Sequence, residues 1–167
     1  MVGEIPTNLT SCSDLEYLFL SGNHLIGNIP IRISSLHKLQ LLELINNNLT
    51  GKIPPSIGNI STLTTLSMDM NQLEGDIPQE MCSLKNLAEI TVSTNRLSGA
   101  FHSCFYNMSS LTYISVTLND FNGSLPSNMF NSLSNFQSFY IALNQFSGTI
   151  PKWKQFGRTS SKSREFT

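Results

Sequence analysis

Glycine recurs at positions 3, 27, 51, 75, 99, 123 and 148, in steps of 24 residues and finally 25. Proline follows three residues later at 6, 30, 54, 78, 126 and 151. A fixed period of this size commits the chain to stacked coils, because one such unit cannot bury its apolar face alone. The unit reads LxxLxLxxNxLxGxIP, and its copies begin at Leu15, Leu39, Leu63, Leu87, Leu111 and Phe136. Residues 15–151 therefore hold six coils, and residues 1–14 are the tail of a preceding one.

Each slot has a physical reason. The LxL alternation puts two aliphatic side chains on one face of a short strand, pointing into the coil. Strands one period apart then stack in parallel, and six at about 4.8 Å span about 24 Å. One Asn closes each strand: Asn23, Asn47, Asn71, Asn95, Asn119 and Asn144. An inward amide has two donors and an acceptor, so this ladder satisfies backbone groups of its own and the adjacent coil. Glycine permits a tight bend or a positive φ, and proline fixes φ without donating to a ladder. The apolar pairs Ile33 and Leu36, Ile57 and Ile60, Met81 and Leu84, and Phe105 and Met108 fit a 3₁₀ or short helical turn on the outer side. The fold predicted is a curved α/β solenoid. It has a parallel sheet on the concave side and 3₁₀ or short-helix turns on the convex side.

Composition narrows the function. Charged residues make up 13% of the chain, about half the usual share, and the net charge is −1. Nucleic-acid binding, which needs clustered Lys and Arg, is excluded. No apolar run reaches the roughly 20 residues of a membrane helix, and no basic-then-apolar leader opens the chain. No phosphate-cradling glycine loop or kinase signature occurs, so neither a catalytic activity nor a cofactor is expected. His24, His37 and His102 fall at different phases of the repeat, with His102 in a proline slot, as a turn residue. Residues 152–167 carry Lys152, Lys154, Arg158, Lys162 and Arg164 against Glu165, which reads as a disordered basic tail. Neither end shows a cap.

Cys12 lies one period before Leu36 and reads as a small core residue. Cys82 and Cys104 are 22 residues apart, two short of a period. They are either a disulfide across adjacent convex turns or two buried thiols. Glycosylation sequons occur at Asn8, Asn48, Asn59, Asn107 and Asn122. The side chains between and beside the inward aliphatics face outward on the concave sheet. Tyr17, Phe19, Leu41, Ile45, Tyr113 and Tyr140 make that face more apolar than a solvated sheet requires, and Glu43, Asp69 and Glu89 are its acidic members. Exposed aromatic groups of this kind mark interaction surfaces.

The six copies resemble the plant-specific form of the leucine-rich repeat over residues 1–151. The stretch LSGAFHSCFYNMSSLTYISVTLNDFNGSLPSNMFNSLSNFQ, residues 97–137, is similar to plant receptor-like kinase ectodomains. It looks closest to the immune-receptor group that includes the flagellin and elongation-factor receptors, as does the inserted residue near 128–130. The resemblance implies a ligand- or partner-binding segment from the middle of such an ectodomain. The partners implied are a peptide or protein ligand and a co-receptor ectodomain, on the outer side of the plasma membrane. The receptor's serine/threonine kinase is not in these residues. A stand-alone secreted repeat protein, acting as an enzyme inhibitor or decoy in plant defence, is the alternative.

Overall fold

The computed structural model describes residues 1–131 and 133–151; the basic tail at 152–167 lies outside the described residues. Its coils stack into a solenoid with two parallel sheets. The LxL segments form six strands: β2 (Tyr17–Phe19), β4 (Leu41–Glu43), β6 (Thr65–Ser67), β8 (Glu89–Thr91), β10 (Tyr113–Ser115) and β12 (Ser138–Tyr140). They pair in chain order, each one period from the next. Leu18, Leu42, Leu66, Ile90 and Ile114 point inward from them and are buried.

For the NxLxG stretch the sequence predicts only a tight bend or a positive φ at its glycine, and the positive φ is found. The stretch also forms a second sheet of seven strands: β1 (Val2–Glu4), β3 (His24–Asn28), β5 (Asn48–Lys52), β7 (Gln72–Gly75), β9 (Arg96–Ala100), β11 (Asp120–Ser124) and β13 (Gln145–Ser147). The repeat glycines sit within or beside these strands at φ between 73° and 107°, a region closed to most side chains. Stacking explains this sheet. A segment too irregular to be a strand alone becomes one when an identical segment lies one coil away.

Five-residue 3₁₀ turns close the convex side at Thr7–Ser11, Ile31–Ser35, Pro55–Asn59, Gln79–Ser83 and Ser103–Asn107. Proline precedes the first four, at φ between −60° and −69° and ψ between 128° and 136°. His102 holds the same place at φ −61° and ψ 135°. Its neighbour Phe101 replaces the usual aliphatic residue and packs on Phe105, Tyr106 and Phe121. The Tyr106 hydroxyl donates to the Phe101 carbonyl at 3.2 Å, and burial pushes its pKa up to about 12.

Cys12 is exposed, not a core residue. It is the C-cap residue of the turn Thr7–Ser11, the place that Leu36 holds, buried, after the turn Ile31–Ser35. Cys82 and Cys104 form a disulfide between adjacent convex turns, with Cα atoms 5.7 Å apart. The bond closes a loop of 22 residues and so limits the unfolded chain. Replacing both cysteines with serine is expected to cost about 2 kcal/mol. A urea or thermal midpoint unchanged in the double variant would refute this.

Candidate functional site

The Asn ladder sets the frame of the site. Asn71 Oδ1 accepts from the Leu49 amide at 3.0 Å, and its Nδ2 donates to the carbonyls of Leu44, Met68 and Asp69 at 2.9, 3.2 and 3.1 Å. Asn47, Asn95, Asn119 and Asn144 repeat the pattern, each accepting from an amide in the preceding coil. Asn23 makes the within-coil part of it, donating to Leu20 and Ser21. Every LxL strand thus ends at the same height.

Parallel register then aligns the outward side chains into rows across the concave sheet. One row is Tyr17, Leu41, Thr65, Glu89, Tyr113 and Ser138. The next is Phe19, Glu43, Ser67, Thr91, Ser115 and Tyr140. Ile45 and Asp69 follow two residues beyond the second row, in the second and third coils. Tyr17 and Phe19 are 52% and 61% exposed, large fractions for aromatic rings on a sheet. Leu41, Glu43, Ile45 and Asp69 are half-buried, and Glu89 is exposed. Tyr113 and Tyr140, in different rows, meet with ring centroids 5.4 Å apart.

The middle of the face is polar and low. Asp69 accepts from the Thr91 hydroxyl and from the Ser93 amide, the latter at 2.7 Å. Ser93 and Ser115 hydroxyls lie 2.7 Å apart. Burial raises the Tyr113 pKa, with further contributions from Tyr140, Asp69 and Glu89. The phenol and both carboxylates therefore share one field.

One set of residues escaped the sequence reading. Gly22, Asn46, Met70, Thr94, Leu118 and Leu143 occupy one slot beside the concave sheet, all with φ between 55° and 66°. Only the first copy carries the glycine that signals this conformation. Amides there donate to the next coil, as from Met70 to Ser93 at 2.8 Å and from Leu118 to Ala142 at 3.0 Å. Met70, Leu118 and Leu143 are exposed and give the face an apolar rim.

The sequon asparagines lie elsewhere. Asn8, Asn59 and Asn107 are on the 3₁₀ turns, and Asn48 and Asn122 are on the second sheet. All five are exposed, and none is on the concave sheet.

Parallel strands at a 24-residue pitch, an inward Asn ladder and 3₁₀ backs define a solenoid of leucine-rich coils that presents an open sheet. The chain belongs to the leucine-rich repeat family: residues 6–158 match the model of the leucine-rich repeat region. No curated protein matches it. Among solved structures it is similar to the Arabidopsis receptor kinase HAESA in complex with the peptide hormone IDA and the co-receptor SERK1. That match has 34% identity and a TM-score of 0.86, covering 90% of this chain and 25% of that one. It is also similar to the ectodomain of the Arabidopsis thaliana membrane receptor kinase GASSHO1/SCHENGEN3, in complex with CASPARIAN STRIP INTEGRITY FACTOR 2. There the identity is 31% and the TM-score 0.84, over 89% of this chain and 18% of that one. The ectodomain of the Arabidopsis thaliana receptor kinase SOBIR1 matches at 32% identity and a TM-score of 0.72, over 78% and 72%. The chain spans between 18% and 26% of the length of the first receptors it matches. Among the described residues, no helix is long and apolar enough to cross a membrane.

Proposed function

We propose that this chain is a ligand- or partner-binding segment of a plant receptor-kinase ectodomain, acting outside the plasma membrane. Its concave sheet receives a peptide or protein ligand, and a co-receptor ectodomain completes the complex. The observation that carries this reading is the contrast between faces. The second sheet and the convex turns bear the five exposed sequons, while the concave sheet bears Tyr17, Phe19, Tyr113 and Tyr140 and no sequon. Sugars on the other two faces would leave the concave face as the surface open to contact. The complexes of HAESA with the peptide hormone IDA and of GASSHO1/SCHENGEN3 with CASPARIAN STRIP INTEGRITY FACTOR 2 support a peptide or protein as the ligand class.

A glycan wedge tests the face. Thr65→Asn creates an Asn-Leu-Ser sequon at the centre of the concave sheet. Peptides selected by display against the unmodified chain should lose binding to the glycosylated Thr65→Asn protein. They should keep binding when Asn48 and Asn122 are changed to Gln. The opposite pattern would move the ligand to the second sheet.

A further inference from the structure

We propose that the concave face takes an extended peptide with one central basic residue, seated among Glu43, Asp69 and Glu89 and flanked by apolar side chains. This rests on the concave-face reading above.

Shape comes first. Tyr17 and Phe19 stand at one end of the face and Tyr113 and Tyr140 towards the other. Between them the floor is Thr65, Ser67 and Thr91, with Ser67 buried. Small side chains between large ones make a trough. An extended segment crossing about 24 Å of sheet uses about seven residues. Its ends then rest on aromatic groups and its centre over the Ser and Thr floor.

Charge decides what the centre carries. The outward positions of the concave strands include Glu43 and Glu89, with Asp69 just beyond, and no Lys, Arg or His. Lys38 is engaged outside the trough, bonded to Asp14 at 2.7 Å. Asp69 is fixed by Thr91 and Ser93, so its charge cannot turn away from the trough. Glu43 and Glu89 sit two strands and one row apart, about 12 Å, and neither has a hydrogen-bond or ion-pair partner among the described residues. An Arg or Lys stem fits over the hydroxyl floor while its head reaches the carboxylates. The adjoining Tyr113 and Tyr140 rings offer π faces to the same cation. An acidic segment would meet the three carboxylates unpaired. A partner with several salt bridges is not called for, since the rest of the face is uncharged.

Three pools of nine-residue peptides test this. Their flanks are drawn from Leu, Tyr, Ser and Thr, and their central residue is fixed as Arg, Gln or Glu. Binding to the full chain is read by fluorescence anisotropy. The Arg pool should bind about tenfold more tightly than the Gln pool, with the Glu pool weakest. In the Glu43→Gln/Glu89→Gln variant, which keeps only Asp69, the Arg preference should fall to about threefold or less, with the melting midpoint unchanged. Equal affinity of the Arg and Gln pools overturns the proposal, as does no binding of the Arg pool at millimolar concentration. The glycosylated Thr65→Asn protein separates the two readings. If it abolishes binding of both pools, the face stands, and the basic residue stands or falls on the Arg-to-Gln difference measured on the unmodified chain. If Arg peptides still bind it, the concave face itself fails.

Discussion

Asn71→Ala is expected to lower the stability of the chain by about 3 kcal/mol, through a single orphaned donor. Asn71 is buried, and its four bonds join the second and third coils. The acceptors survive its loss unevenly. Leu44 keeps the amide of Asn47 at 3.1 Å, Met68 keeps that of Asn95 at 3.0 Å, and the Asp69 carbonyl keeps the Asn46 amide at 2.9 Å. The Leu49 amide keeps nothing, because Asn71 Oδ1 is its partner and it lies in the interior. Desolvating that N–H without a partner supplies most of the loss, and the small cavity the rest. Hydrogen exchange gives the sharper readout. The Leu49 amide should lose protection in the variant by more than the Leu97 amide, which depends on Asn119 two coils away. A melting midpoint equal to the unmodified chain, with Leu49 still protected, would end the argument for the ladder.

What the sequence discloses and what it conceals divide along one line. A slot is readable when its chemistry recurs in nearly every copy. The inward Leu, the ladder Asn and the convex apolar pair recur because every coil needs the same buried contact. Their places follow from the period alone, and so does the outward alternation that puts Tyr113 and Glu89 on one face. The close pairing of Tyr113 with Tyr140 was not readable, since it depends on two rings in different rows leaning together. The left-handed slot was not readable either. Glycine marks it at Gly22, but Asn, Met, Thr and Leu fill it in the later copies. There the cross-coil hydrogen bond of the amide enforces a backbone that local preference opposes. The second sheet was hidden for the same reason, being a property of the stack and not of any one coil.

Gly58→Ala should be the most damaging small substitution in the array, at about 3 kcal/mol or more. Gly58 is not a repeat glycine. Its slot, four residues after the turn proline, holds Ser34, Cys82 and Tyr106 in other coils. Repeat alignment therefore makes Ala or Ser look harmless there. The packing says otherwise. A Cβ on Gly58 would stand 2.2 Å from the carbonyl oxygen of Glu80, 2.5 Å from its carbon and 2.9 Å from its Cβ. Two of those atoms are backbone, so no rotamer change relieves the clash, and the 3₁₀ turns Pro55–Asn59 and Gln79–Ser83 must separate. Ile57 and Met81 are both fully buried at that junction and lose packing as it opens. In a stacked array, stability is carried by interfaces between neighbours, so the damage localises between the second and third coils. A single cooperative melt should broaden towards two transitions. Gly99→Ala is the internal control: its Cβ would find the nearest neighbour at 3.5 Å, leaving chiefly the strain of φ +79°. That change should cost about 1 kcal/mol. Gly58→Ala proving milder than Gly99→Ala in denaturant melts would show that backbone conformation, not the spacing of the convex turns, limits this solenoid.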